Sequence, residues 1–216
     1  MPIAAYIVVA LLAYLLGSIP TGYLVAKARG IDIRSVGSGN IGATNAMRVL
    51  GKPLGIFVLL ADALKGFLAC VVVAPLVFDR FAPITLTEPV VERFQFAVIA
   101  GLCAVLGHNY TCWLKFKGGK GIATTAGVYF TLAPLSVSIA LGVWIILFVG
   151  TRYVSIASLA AAVALPTAVW LIQGNLLLGI VTTALGVLAI YKHKSNIQRL
   201  MAGTEKSFKK PSAPAE

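Results

Sequence analysis

The sequence predicts an all-α integral membrane protein, a polytopic bundle of about seven transmembrane or partial-span helices with the N-terminus outside and the C-terminus inside. Of 216 residues, 59% are hydrophobic and 12% charged, against about a quarter charged in ordinary soluble domains. The mean hydropathy is +0.92, and the apolar runs approach the ~20 residues that a bilayer crossing takes. The few charges are lopsided, 18 Lys and Arg against 7 Asp and Glu, which on a greasy chain points to anionic lipid surfaces or anionic substrates rather than nucleic acid.

The first run, Pro2 to Ala26, contains no charged residue. It lacks a basic leader and is too long for a signal-peptide core, so it reads as a retained span. Residues Lys27 to Lys52 then carry five basic residues against Asp32. Pro53 to Phe78 returns across the bilayer, Asp79 to Arg93 is slightly acidic, and a third run covers Phe94 to Leu106. Lys115, Lys117 and Lys120 follow without an acid, and the segment from Tyr191 onward is basic again. The positive-inside rule puts the three basic segments in the cytoplasm. Parity then requires an even number of crossings between Gly121 and Tyr191. Pro134, Arg152 and Gln173-Gly174-Asn175 divide that stretch into Ile122–Ala133, Pro134–Gly150, Tyr153–Ile172 and Leu176–Ile190. A five-helix count with one pair fused also fits, because short pieces can tilt or pack as partial spans. Residues 1–205 are expected to form one membrane-embedded domain, and 206–216 a basic, disordered cytoplasmic tail. Cys70, Cys103 and Cys112 have no CxxC spacing, so neither a disulfide framework nor zinc is expected.

Three polar segments contain more than turns need. The first is Gly37-Ser38-Gly39-Asn40-Ile41-Gly42-Ala43-Thr44-Asn45, followed by Arg48. Its glycines match GxGxxG, but no βαβ unit surrounds them. What survives is a permissive turn with Ser38, Thr44 and Asn45 as hydrogen-bond donors and Arg48 as an oxyanion grip. A flexible loop is the bland alternative. The second is Gly107-His108-Asn109 with Lys115-Phe116-Lys117-Gly118-Gly119-Lys120-Gly121. Gly121 stands where a P-loop needs Ser or Thr, so ATP is not indicated. This segment reads as an anion site or as a headgroup anchor. The third is His193-Lys194-Ser195-Asn196-Ile197-Gln198-Arg199, with Gly203-Thr204-Glu205. If the preceding helix continues, His193, Asn196 and Ile197 share a face.

The inferred cytoplasmic segments contain only Asp32, Glu205 and Glu216 as acids, too few for a multi-carboxylate metal site. Neither His begins HxxxxD, since Trp113 and Gln198 occupy the relevant positions, and no GxSxG occurs. Metal-free, cofactor-free chemistry on anions fits this inventory. Asp62 and Lys65 sit at i, i+3 inside the second apolar run. They read as a structural pair, a cavity wall or, less readily, a proton-coupled transport site.

In chain length, charge placement and order, the three segments together resemble the bacterial acyl-phosphate:glycerol-3-phosphate acyltransferases of the inner membrane. The resemblance covers essentially the whole chain apart from the tail. It implies transfer of a fatty acyl group from acyl-phosphate to the sn-1 hydroxyl of glycerol 3-phosphate, giving lysophosphatidate and phosphate. This is the first acylation step of phospholipid biosynthesis. It also implies a multi-helix fold with its site at the cytoplasmic face, and it makes docking of the soluble acyl-phosphate-producing enzyme plausible.

On that reading Ser38, Arg48, Lys120 and His193 are the catalytic set. Ser38, Thr44, Asn45, Arg48 and Lys120 hold phosphates and the developing oxyanion. Gly37, Gly39, Asn40 and His108 line the substrate site, and Gly118, Gly119 and Gly121 admit the backbone. His193 and Asn196 orient glycerol 3-phosphate, and Glu205 braces the third segment. His193 and a substrate phosphate oxygen are both candidate proton acceptors. The rival is a transporter of a phosphorylated solute, whose site should lie near the bilayer midplane with access from both sides.

Overall fold

The computed structural model describes residues 1–82 and 89–208. Part of the expected tail, residues 209–216, lies outside the described residues. Eleven α-helices and no strand occur among the described residues. They cluster into two compact units, Met1–Pro134 and Leu135–Glu216.

Five helical stretches are long and apolar enough to cross a membrane: Ile3–Lys27, Lys52–Phe81, Val90–Leu114, Pro134–Thr151 and Val154–Ile172. Leu176–Lys192 and Lys194–Met201, bent by 53° to one another, are together long and apolar enough as well. The remaining apolar helix, Ile122–Leu132, has 11 residues. At 1.5 Å per residue its length is roughly half the hydrocarbon thickness. All seven expected apolar segments are therefore helical.

In the first unit, α1 (Ile3–Ser18) and α2 (Thr21–Lys27) are one span interrupted at Ile19-Pro20. Pro20 has no N–H to donate and its ring disfavours a continuous helix. The second span comprises α4 (Lys52–Leu68), a π turn (Ala69–Val73) and α5 (Ala74–Phe81). The π turn lies immediately ahead of Pro75, whose missing donor and bulky ring the looser winding accommodates. α6 (Pro89–Asn109) runs parallel to α1: Tyr6 meets Phe96 near their starts, and Gly17 meets Ala104 near their ends. The seam uses small residues, Ala5, Ala13, Ala100 and Ala104. Lipid tails provide no hydrophobic contrast to helix surfaces, so close backbone packing must hold the pair together. A Cβ on Gly17 would lie 2.1 Å from the Ala104 carbonyl oxygen. Outward positions such as Leu11 and Leu60 are exposed apolar residues, as a lipid-facing surface requires.

In the second unit, α8 (Pro134–Thr151) turns through Arg152, at φ +61°, into α9 (Val154–Ile172). Gly174, at φ +58°, and Asn175 then start α10 (Leu176–Lys192). The Asn175 side chain accepts a hydrogen bond from the Leu178 N–H at 2.9 Å, a helix N-cap. α9 and α10 pack through Gly179 against Trp170, whose indole N–H donates to Thr183 at 3.0 Å. The expected turns at Arg152 and at Gln173-Gly174-Asn175 are both present.

Candidate active site

Two of the three polar segments emerge from the same end of the first unit, because the parallel spans α1–α2 and α6 deliver them there. Leu114, just before the second segment, shares an apolar cluster with Ile33, Ile41 and Ala46 of the first. Burying those side chains together ties the two loops to one platform.

The first segment is shaped around Asn45, 1% exposed, near the start of α3 (Ala43–Leu50). Its amide nitrogen donates to the carbonyls of Ile33 (3.2 Å) and Val36 (3.1 Å). Its oxygen accepts the Ser38 N–H at 2.8 Å. Gly37 lies at φ +66°, and a Cβ there would come within 2.2 Å of that oxygen. Asn40 closes a local turn by accepting the Gly42 N–H at 2.8 Å. Asn45 thus spends its whole amide on the loop's own backbone, and Asn40 its side-chain oxygen. The Ser38 side chain is exposed, and Thr44 and Arg48 are half-buried. Asp32, just upstream of the segment, is forked by Arg34 at 2.7 and 2.9 Å. Hydrogen bonds from Arg34 bring its carboxyl down to about 2, so the acid is consumed locally.

In the second segment the glycines face inward. The N–H groups of Gly118 and Gly119 donate to the carbonyls of Asn109 (3.2 Å) and His108 (2.9 Å), satisfying orphan acceptors at the end of α6. A Cβ on Gly118 would sit 2.1 Å from the His108 carbonyl oxygen, and one on Gly119 would sit 2.1 Å from His108 Nε2. These glycines therefore admit the loop onto α6. Gly121, at φ +81°, starts α7 (Ile122–Leu132) immediately after Lys120. Half-buried Lys120 thus stands at a helix N-terminus, where the backbone dipole adds to its charge. Lys115 and Lys117 are exposed. His108 is buried beneath the loop.

The third segment belongs to the second unit. Its helix bends by 53° at His193, the corner between α10 and α11 (Lys194–Met201), and the His193 carbonyl accepts the Asn196 and Ile197 N–H groups in the first turn of α11. His193 and Asn196 are both buried. His193 Nδ1 lies 2.7 Å from the Ala189 carbonyl, an acceptor that requires a proton on Nδ1. Asn196 donates to Glu205 at 2.6 Å, and Arg199 Nε takes the other carboxylate oxygen at 2.6 Å. Burial raises the Glu205 pKa, but these donors and the nearby Ser155 hydroxyl outweigh it and hold the carboxyl below its ordinary value.

Sequence reasoning did not find the polar groups around the break in the first span. Thr111 Oγ1 donates to the Ser18 carbonyl at 2.6 Å, and Tyr14 donates to the Tyr110 carbonyl at 2.7 Å. The only local signal was Pro20 inside an apolar run, which implies carbonyls in need of donors.

Comparison with known proteins agrees with this architecture. A family model described as glycerol-3-phosphate acyltransferase matches residues 7–203. The glycerol-3-phosphate acyltransferase of Geotalea daltonii is 46% identical over 198 residues, covering 92% of this chain and 95% of its own. That of Geobacter metallireducens is 49% identical over 197 residues, covering 91% and 94%. A crystal structure of PlsY (YgiH), an integral membrane glycerol 3-phosphate acyltransferase in its glycerol 3-phosphate form, superposes with a TM-score of 0.82. It is 37% identical, covering 94% of this chain and 96% of that one. Matched by that family model over most of its length and sharing the multi-pass helical architecture of the solved relative, the chain belongs to the glycerol-3-phosphate acyltransferase family.

Proposed function

We propose that this enzyme transfers a fatty acyl group from acyl-phosphate to the sn-1 hydroxyl of glycerol 3-phosphate, releasing lysophosphatidate and inorganic phosphate. The observation that carries the reading is the placement of two cationic loops, Ser38 to Arg48 and Lys115 to Gly121, on one apolar platform at one end of the first unit. Both substrates carry phosphate, and one also carries an acyl chain that can remain among the lipid-facing helices. The relative solved in a glycerol 3-phosphate form supports the acceptor. The same end is taken to face the cytoplasm, with the N-terminus outside and the C-terminus inside the inner membrane, by the charge asymmetry.

Residues 1–205 act as one acyltransferase module in this reading, in which His193 and Asn196 orient glycerol 3-phosphate. Ser38, Thr44, Arg48 and Lys120 hold the phosphates. Asn40, Asn45, Gly37 and Gly39 shape the first loop, and Gly118, Gly119 and Gly121 shape the second. Glu205 braces Asn196. The acceptor hydroxyl attacks the acyl carbonyl carbon and gives its proton to His193 or to a substrate phosphate oxygen, the carbon–oxygen bond to phosphate breaks, and phosphate departs with the electron pair. An acyl-phosphate is already activated, so positioning and charge stabilisation suffice, without a metal or covalent intermediate. The soluble enzyme that makes acyl-phosphate is a natural partner at the same membrane face.

The decisive assay mixes purified protein, a synthetic acyl-phosphate and glycerol 3-phosphate without added metal. Lysophosphatidate and phosphate are the expected products. Turnover from acyl-CoA or acyl-carrier protein with none from acyl-phosphate overturns the donor assignment.

A further inference from the structure

One polar cluster lies beneath the loops and is not used by the chemistry above. Asp62, Lys65 and His108 are 3%, 5% and 5% exposed. Asp62 Oδ1 lies 2.9 Å from Lys65 Nζ and 3.5 Å from His108 Nδ1. Lys65 Nζ also donates to the Ile19 carbonyl at 3.0 Å, at the break in the first span. On its other edge, His108 Nε2 faces Gly119 so closely that no Cβ fits between them, while its carbonyl accepts the Gly119 N–H at 2.9 Å. Gly119 is clamped from two directions by one residue, and Lys120 is its neighbour.

Stability alone does not account for these charges. A buried ion pair roughly breaks even against an apolar pair of similar volume, and intramembrane charges are costly. An apolar pair could not set an oxygen 3.5 Å from the His108 ring nitrogen or offer a donor to the Ile19 carbonyl. Both contacts lead to the site: Ile19 precedes α2 and the first loop, and His108 underlies the second.

We propose that Asp62, Lys65 and His108 are positioning residues: Asp62 orients the His108 ring against Gly119, so that the second loop holds Lys120 in register with the first. This rests on the acyltransferase reading of the loops. It gives Asp62 and Lys65 a task other than transport or lining a cavity, and makes His108 a support for the anion site rather than a contact to substrate.

The test works in a Lys65→Met background, so that no unpaired lysine remains. Asp62→Asn keeps an oxygen facing His108, whereas Asp62→Leu does not. With both double variants folded and melting at similar temperatures, Asp62→Asn should retain kcat/KM within about threefold of the Lys65→Met parent. Asp62→Leu should lose roughly 10–100-fold, with a raised KM for glycerol 3-phosphate, since a small misplacement of a binding group costs on that order. In a His108→Leu background the difference between Asn and Leu at position 62 should vanish, the signature of action through the ring. Equal kcat/KM for the two double variants, or a difference that persists without His108, overturns the proposal. Should the leucine pair not fold, His108→Asn, whose amide can still face Asp62, should keep activity that His108→Leu loses. Equal loss in both also overturns it. Calorimetric binding of glycerol 3-phosphate reads the same cycle without an acyl donor. A wrong donor assignment would therefore appear as wild-type binding without turnover from acyl-phosphate, and leave the positioning result distinct.

Discussion

Asn196 and Arg199 divide the Glu205 carboxylate between them, one oxygen each at 2.6 Å, and so fasten the turn after α11 back onto the helix that carries Asn196. With Gly203 at φ +67° and the Thr204 N–H on the Arg199 carbonyl at 2.8 Å, this turn is a built brace.

Glu205 is therefore expected to matter for stability before chemistry. Its pKa is lower in the folded protein than in the unfolded chain, so its contribution is present above the unfolded pKa and disappears as pH falls through the folded one. Glu205→Ala should lower stability by about 1–3 kcal/mol at neutral pH, the usual cost of orphaning buried partners. The deficit relative to wild type should shrink in acid. Thermal melts in detergent across a pH series check both statements, and a pH-independent deficit contradicts the brace.

Arg48→Ala and Lys120→Ala should each lower kcat/KM by roughly 10²–10³-fold while leaving the melting temperature near wild type, because they remove charge aimed at developing negative charge. Steady-state kinetics paired with melts decide this. Unchanged efficiency in folded protein removes either residue from the site.

Gly119→Ala should be damaging for steric reasons, since its Cβ would collide with His108. Forced repacking of this kind typically costs about 1–3 kcal/mol. Gly142→Ala, in α8 with open space around the new carbon, should be neutral or slightly stabilising. Comparing the two melting temperatures tests whether the glycines of the second segment serve close packing.

Asn45→Asp should be worse than a change of one atom suggests. It replaces the donor shared by the Ile33 and Val36 carbonyls with an acceptor. A buried acceptor left without a donor costs about 1–3 kcal/mol. Loss of melting temperature together with a raised KM for glycerol 3-phosphate is expected. Lost binding with an unchanged melt would make Asn45 a direct ligand instead.

For the proton, a pH–rate profile of His193→Ala separates the two acceptors. If the imidazole is the base, the acidic limb of kcat/KM should disappear with it. A retained limb assigns the proton to a substrate phosphate oxygen.

Much of this protein could be read from its residues in order. The apolar runs became helices close to where composition put them, and Pro134, Arg152 and Gly174 marked interruptions. The shortness of Ile122–Leu132 was also legible. Composition works here because hydropathy is a local property and bilayer thickness supplies the ruler. The ordered set of three polar segments likewise carries the resemblance to the family that matches residues 7–203.

Tertiary structure decided which polar groups the loops use on themselves. The Asn45 amide and the Asn40 side-chain oxygen hold the first loop's own backbone, and the Gly118 and Gly119 N–H groups are spent on the end of α6. Asp62 and Lys65 read as a local pair, but His108 and the Ile19 carbonyl complete the arrangement from two other spans. Whether a donor is available depends on every acceptor within about 3 Å, and that neighbourhood forms only when distant segments pack together.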